Sequence, residues 1–323
     1  MYFKNLQVYR LPENWDMDVD RLDEQLGKKR FHPCGSQDME SRGWVSPLGN
    51  DVLVHAVGGQ WLIALGVEAK LLPSSVVKQV ADERAEELAE QQGYKLGRKQ
   101  LKELREQITQ ELLPRAFSRR RTLYAWIDPV AGWLVIDASS PARAEDMLEQ
   151  LRHTLDSFPL AVLRTERSPV SAMADWLAGN EAPAGFTIDQ DCELRSVTED
   201  KAAVRYVRHP LEGDEVRAHL EAGKLPTRLA LTFDERVSLV LTEKLELKRI
   251  DFLDVVRDQI DGTAEDAEAL FNAEFALMTA ELGRLLPAVV EALGGETKVA
   301  EAAVTGSTAQ STSSTVVAGD PPF

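Results

Sequence analysis

The stretch that most constrains the fold is 74–113, where helical signals are strong but the apolar stripe is narrow. Two serines after Pro73 can cap a first helix. Gly93 and Gly97 interrupt the helical pattern, and a second helix ends at Pro114. The second helix carries four apolar residues on one face: Leu101, Leu104, Ile108 and Leu112. This pattern predicts a hairpin of two helices that projects from a body rather than lying inside one.

On both sides of this hairpin, short apolar runs alternate with turn residues and with helical patterns. Residues 52–65, for example, predict a β-hairpin that turns at Gly58-Gly59. We therefore expect an α+β protein with mixed sheets, helices and the projecting hairpin. The predicted regions are an α+β body over 1–73 with 115–165, the helical hairpin over 74–114, a second α+β region over 166–260, C-terminal helices over 261–297 and a disordered tail over 298–323. The tail prediction rests on 305–315, where eight of eleven residues are Ser or Thr.

Composition excludes several classes of protein. With 323 residues and 44% hydrophobic residues, the chain is long and apolar enough for about two folded domains. No apolar run approaches the length of about 18 residues that crosses a bilayer. The first residues carry no cleavage site of a signal peptide, and two cysteines 158 positions apart fit a reducing compartment. We expect a cytoplasmic protein without a membrane partner.

Charge is unevenly distributed along the chain. The total is −16, from 37 Lys and Arg against 53 Asp and Glu. Residues 93–121 nevertheless hold nine basic and three acidic residues, a net charge of +6, whereas 261–323 carries −8. Because salt screens charges over about 8 Å, a basic surface several such lengths from an acidic one can still bind phosphate. The acidic total therefore does not exclude binding to nucleic acid.

Two interpretations of 93–121 remain open. Its charges can be a solvated helix face with i,i+4 pairs such as Lys99–Glu103 and Lys102–Glu106. Arginines at 115 and 119–121 favour a nucleic-acid surface instead. They lie beyond the helix stop, and along the sequence their nearest acidic residues are at 111 and 128.

Catalytic motifs are weak or missing. No pair of histidines has zinc-site spacing, and neither a phosphate-binding glycine loop nor a nucleophile elbow occurs. His32 and Cys34 lie close enough for a nucleophilic pair, but the proline and glycine around them favour a structural turn. Asp128 and Asp137 lie on neighbouring predicted strands and would be candidates for Mg²⁺ in a nuclease. We expect no catalytic residue, metal or cofactor.

Phe117 lies between arginines at the exit of the second helix. The residue can belong to the core or can be an exposed anchor at a subunit contact, where aromatic side chains are enriched. The sequence pattern alone does not choose between the two.

Several strings, in order over about residues 1–296, resemble the recombination-associated protein RdgC family. The strings are FKNLQVYRL at 3–11, FHPCGSQDM at 31–39, GWVSPLG at 43–49, LLPSSVVKQ at 71–79, LLPRAFSR at 112–119, EAGK at 221–224 and LMTAELGRLLPAVVEALGGE at 277–296. The resemblance implies a non-enzymatic protein of the cytoplasm and nucleoid that binds double-stranded DNA without sequence specificity. It also implies a ring-shaped homodimer that encloses the duplex and inhibits the RecA recombinase, with RecA filaments as a further partner.

The resemblance places LLPRAFSR at a dimer contact, which favours Phe117 as an interface residue, and places Lys224 on the side that faces DNA. Arg228 is added because it lies nearby in sequence. Together with the basic segment, the candidate DNA-binding residues are Lys95, Arg98, Lys99, Lys102, Arg115, Arg119, Arg120, Arg121, Lys224 and Arg228. An alternative function is an acidic regulator that binds a recombinase directly, without DNA, through the region of charge −8.

Overall fold

A computed structural model describes residues 1–12, 15–198, 201–260 and 266–297 of the chain. Within them, twelve strands join into one antiparallel sheet. The strands are β1 (Asn5–Arg10), β2 (Glu40–Val45), β3 (Val54–Val57), β4 (Gln60–Lys70), β5 (Ser118–Asp128), β6 (Trp133–Asp137), β7 (Ala161–Val162), β8 (Phe186–Ser196), β9 (Ala203–Tyr206), β10 (Lys224–Phe233), β11 (Val237–Thr242) and β12 (Leu247–Phe252).

Eight α-helices lie in the same described part of the chain. They are α1 (Val19–Gly27), α2 (Ser74–Gln92), α3 (Arg98–Leu112), α4 (Pro141–Thr154), α5 (Pro169–Gly179), α6 (Asp214–Glu221), α7 (Asp254–Arg257) and α8 (Ala267–Ala292). A short 3₁₀ turn over Leu113–Arg115 leads from α3 into β5. Helix starts follow local chemistry: the Asp18 carboxylate accepts the N–H of Arg21 at 2.8 Å and so caps α1.

The main path through the sheet is β2-β4-β5-β6-β1-β12-β11-β10-β8-β9, with β3 on β4 and β7 on β1. β1 therefore lies near the middle. It pairs with β6 on one side, where Val8 is opposite Val135, and with β12 on the other, where Asn5 is opposite Lys248. The two α+β regions predicted from the sequence share this sheet through β1. The α+β class is confirmed, and the expected mixed sheets are replaced by one antiparallel sheet.

Two apolar cores lie on opposite faces of the sheet, because side chains alternate along each strand. In the half that contains β4, β5 and β6, residues such as Leu65 and Leu134 pack against α1 and α4. In the other half, residues such as Leu229 and Leu239 pack on the opposite face against α5, α6 and α8. α8 also covers Trp126 of β5, so it packs against both halves. Among the residues that the structure describes, the half with β8 to β12 thus has one face without a covering helix.

The helical hairpin α2–α3 has a small core of its own. Val77 and Ala81 of α2 pack against Leu104 and Ile108 of α3, apart from the two large cores. α2 ends at Gly93, whose positive φ of 76° favours glycine. The predicted tail at 298–323 and the first five residues of the predicted region 261–297 lie outside the described residues.

Candidate nucleic-acid interface

The candidate cations of the hairpin are all exposed, but their surroundings differ. Lys99 and Lys102 lie 3.9 and 3.8 Å from carboxylate oxygens of Glu103 and Glu106. Such exposed pairs contribute about 0.3–0.5 kcal/mol, so they compete weakly with a phosphate. Lys95 and Arg98, near the tip, have no carboxylate within salt-bridge distance among the described residues. The hairpin therefore presents an edge of exposed cations, and the candidate cations without a carboxylate partner in the described chain lie near its tip.

The arginines at the base of the hairpin fall on different sides of β5. Arg119 and Arg121 point to one face and Arg120 to the other, because side chains alternate along the strand. Arg121 donates to the Asp146 carboxylate of α4 at 2.9 Å, and the Arg120 guanidinium lies 4.1 Å from the Phe31 ring centroid.

The distance to acidic residues along the sequence therefore does not reveal the ion-pair partner of Arg121. Its partner Asp146 is distant in sequence but adjacent in the fold. Arg115 and Arg119 are exposed and have no ion-pair partner within the described residues. Both are therefore cations at the hairpin base that are available to a ligand.

Lys224 and Arg228 belong to the same strand, β10, but they are not brought together. The Lys224 ammonium lies 3.1 Å from the His219 ring of α6, on the face that α6 covers. A register shift between Pro226 and Arg228 interrupts the alternation, and Arg228 lies on the opposite, open face. The two candidates therefore cannot contribute to one continuous surface on a single face.

Phe117 is 84% exposed, between two exposed arginines. Its carbonyl accepts the N–H of Leu71 at 2.6 Å, which fixes the backbone, while Met39 and Leu71 add further exposed apolar surface. Within the chain, Phe117 is therefore not a core residue.

Arg228 lines a cleft of about 230 Å³ on the open face of the sheet. Three further cations line the cleft: Arg205 from β9, and Lys248 and Arg249 from β12. The distribution of charge along the chain does not reveal these three, because the cleft collects residues from separate strands. The signal that could have found them is the position of basic residues on strands predicted to pair.

The cleft also contains carboxylates, and each already has partners. Glu193 accepts from Arg195 and from the Thr227 hydroxyl, at 2.9 and 3.1 Å. Asp191 accepts the N–H of Arg208 at 2.9 Å and lies 3.6 Å from Arg249. Arg205 and Arg228 flank Glu193 from its two neighbouring strands, and neither has a salt bridge in the described part of the chain.

Glu246 lies beside the cleft and holds Lys248. Burial acts to raise the pKa of Glu246, but hydrogen bonds from Gln7 and Lys248, both at 3.0 Å, outweigh it and leave the pKa lowered. The carboxylate is therefore ionised at neutral pH, and it partly neutralises Lys248.

The proposed carboxylate pair for a nuclease does not form. Asp128 accepts the N–H groups of Val130 and Ala131 in a turn, whereas Asp137 accepts those of Lys4 and Asn5. Asp128 is paired with the first residue of β6 and Asp137 is the last, so about 13 Å separate them along the strand. Within the described ranges, no three His, Cys, Asp or Glu residues cluster as a metal site would require.

The thiols are held in their protonated form. Desolvation raises the pKa of the Cys34 thiol, which donates to the Glu68 carbonyl at 3.2 Å. Burial raises the pKa of Cys192 to about 12. Neither environment favours the thiolate that a nucleophile needs. In the part of the chain that the structure describes, no helix is long and apolar enough to cross a membrane.

Comparisons with known proteins agree over almost the whole chain. The family model described as "RdgC: Putative exonuclease, RdgC" matches residues 1–296. A recombination-associated protein RdgC of Dechloromonas aromatica is 60% identical over 300 residues, which cover 92% of this chain and 98% of that protein. The protein of the same name from Cupriavidus necator is 53% identical over 298 residues, covering 92% of this chain and 100% of that protein. The chain therefore belongs to the RdgC family of recombination-associated proteins.

Proposed function

We propose that this protein binds double-stranded DNA without sequence specificity, encircles it as a ring-shaped homodimer and thereby inhibits RecA-dependent recombination. Its place would be the cytoplasm, on the nucleoid. The name of the family supports a role in recombination. Binding to DNA is the central step of this proposal. The protein would contact the phosphates of the backbone and would not recognise the bases.

The observation that carries this proposal is the set of exposed cations without carboxylate partners between the hairpin tip and its base. Lys95, Arg98, Arg115 and Arg119 keep their full charge available, within the described residues. Arginine can donate two parallel hydrogen bonds to one phosphate, which makes its contact with phosphate stronger than that of lysine. The free energy that a polyanion gains from contacts at this edge therefore exceeds the free energy lost when the weak Lys–Glu pairs of α3 are broken.

Enclosure accounts for a second feature of the chain. An overall charge of −16 repels DNA, so phosphate contacts alone hold the complex weakly. A closed ring adds topological retention, and it can place cations on its inner wall with carboxylates on its rim. Phe117, exposed between arginines, supplies the apolar anchor that a subunit contact needs.

Binding to duplexes of unrelated sequence over a salt series tests the proposal. We expect similar affinities, with log affinity falling linearly with log salt. Arg115→Gln with Arg119→Gln should lower affinity by about tenfold or more, because two phosphate contacts are lost. Lys28→Gln with Lys29→Gln is the matched control, since these lysines are also exposed and without ion pairs in the described chain. Equal affinities for both variants would contradict the assigned surface.

Enclosure and RecA inhibition need separate measurements. Covalently closed circular DNA should retain the protein after a salt challenge that strips it from linear DNA of the same length, and equal loss from both would argue against a ring. Inhibition of RecA strand exchange should weaken with the arginine double variant. Undiminished inhibition would instead favour direct contact with the recombinase. Incubation of DNA with Mg²⁺ or Mn²⁺ tests the proposed absence of nuclease activity, which degradation would overturn.

A further inference from the structure

We propose that the cleft on the open sheet face is a second phosphate-binding seat, in which Arg205, Arg228 and Arg249 hold the phosphodiester backbone of nucleic acid. This inference rests on the proposed DNA-binding function and extends it to a surface distant in sequence from the hairpin. It assigns a role to two cations that the charge distribution along the chain does not group, namely Arg205 and Arg249.

The charges in the cleft leave two of its three arginines, Arg205 and Arg228, without an ion-pair partner in the described chain. Glu193 is engaged by Arg195 and Thr227, so it does not hold the arginines on either side of it. Arg205 and Arg228 carry no salt bridge in the described chain, and both are exposed. Arg205 and Arg228 therefore keep their charge available, whereas Asp191 partly neutralises Arg249.

The spacing of the unpaired arginines fits a polyanion. Arg205 lies on β9 and Arg228 on β10, and one strand, β8, separates them. At about 4.8 Å per strand, their strands lie about 10 Å apart. Arg249 of β12 reaches to 3.6 Å from Asp191 of β8, so the three arginines converge on the cleft. A nucleic-acid backbone presents charges at short intervals along its length and can therefore meet more than one of them.

The remaining residues of the cleft fit phosphate contact without base recognition. Its floor includes Val240, and at the β1 side Asn5 and Ser139 add neutral hydrogen-bond donors. In this proposal the arginines contact phosphates, which carry no sequence information, so we expect the seat to hold any sequence equally. Because no helix of the described residues covers this face, a long stretch of nucleic-acid backbone has room to lie across the sheet.

Substitution of the two unpaired arginines, Arg205→Gln with Arg228→Gln, tests the inference in the full-length protein. With a duplex of about 30 base pairs and about 100 mM salt, the dissociation constant should rise by about tenfold or more. The plot of log affinity against log salt should become less steep: the magnitude of its slope should decrease by about 1.8, since each lost phosphate contact contributes about 0.9. Arg205→Lys with Arg228→Lys keeps both charges and should restore the slope.

The outcomes separate this inference from the proposed function. If the unchanged protein binds no DNA, the proposed function fails. If it binds and the double glutamine variant keeps the full salt slope, like the Lys28→Gln with Lys29→Gln control, the seat is overturned and the function stands. Binding of poly-glutamate to the unchanged protein and to the double glutamine variant adds a further check. If the substitutions abolish binding of poly-glutamate and leave DNA binding unchanged, the cleft binds acidic polypeptide, and the inference is also overturned. Where the double variant melts early, each single variant should still lower the slope by about 0.9.

Discussion

At the scale of single residues, Gly43 shows how closely two backbones can approach in this sheet. The segment before β2 bonds back to it: Phe31 donates to the Trp44 carbonyl at 2.9 Å, and Trp44 donates to that of Lys29 at 2.9 Å. A Cβ on Gly43 would lie 2.4 Å from the Cα of Phe31 and 2.6 Å from its nitrogen. Both are backbone atoms, so no side-chain rotation can relieve the overlap.

Gly43→Ala should therefore lower the free energy of unfolding by about 3 kcal/mol, since the backbone must separate and its hydrogen bonds lengthen. Chemical denaturation gives the value. Gly27→Ala is the matched control, because no atom lies within 4 Å of its Cβ position and its φ is not positive. The control should be neutral or slightly stabilising, by about 0.4–1 kcal/mol. Equal stability of both variants would contradict the close approach.

The contact partners of single residues are also the feature that the sequence predicts least well. The Arg121 contact to Asp146 joins β5 to α4, and the Arg120 contact to Phe31 joins β5 to the segment before β2. Local patterns give the type of a residue and the face on which it lies. They do not give the residue that lies opposite once two elements pack.

At the scale of elements, the hairpin α2–α3 was the most predictable part of the chain. Its boundaries depend on local backbone chemistry, with Pro73 before α2, Gly93 and Gly97 between the helices, and the turn at Pro114 after α3. Its narrow stripe predicted a hairpin that projects from the body, and in the structure the two helices share a small core of their own. Such signals need no knowledge of distant residues.

Because that core is separate, Ile108→Ala should loosen the hairpin without unfolding the sheet. Ile108 is fully buried, so its truncation should cost about 2–4 kcal/mol locally. Hydrogen exchange of amides in 74–112 should accelerate while amides of β4 and β5 keep their protection. The exposed Lys102→Ala is the control and should change neither. Uniform acceleration across the sheet would show that the hairpin is not an independent unit.

At the scale of the whole molecule, one sheet carries cores on opposite faces, and α8 packs against both halves. This arrangement was not predictable from the sequence. Alternation indicates which face of a strand is apolar, but not that β1 pairs with β12 and β6. The cleft near Arg228 depends on that strand order, so most of its residues were missed. Only Arg228 was named beforehand, through proximity to Lys224, which lies on the other face.

Assembly belongs to this scale, and Phe117 is its test. Phe117→Ala should raise the dissociation constant of the proposed homodimer roughly 30-fold, if the exposed ring contributes the ~2 kcal/mol typical of an interface anchor. Sedimentation over a concentration series measures it. Val130→Ala is the control, since Val130 is also strongly exposed but lies in the turn between β5 and β6. An unchanged dissociation constant for Phe117→Ala would remove this residue from the contact.

The central position of β1 also sets an order of events while the chain is synthesised. β1 leaves the ribosome first and β6 follows, yet β12, which pairs with its other side, emerges only after most of the chain. Until then, the nascent protein presents an open strand edge of the kind that recruits wrong partners. Translation thus completes the middle of the sheet late, and the free edge of β1 is exposed to wrong pairing until β12 arrives.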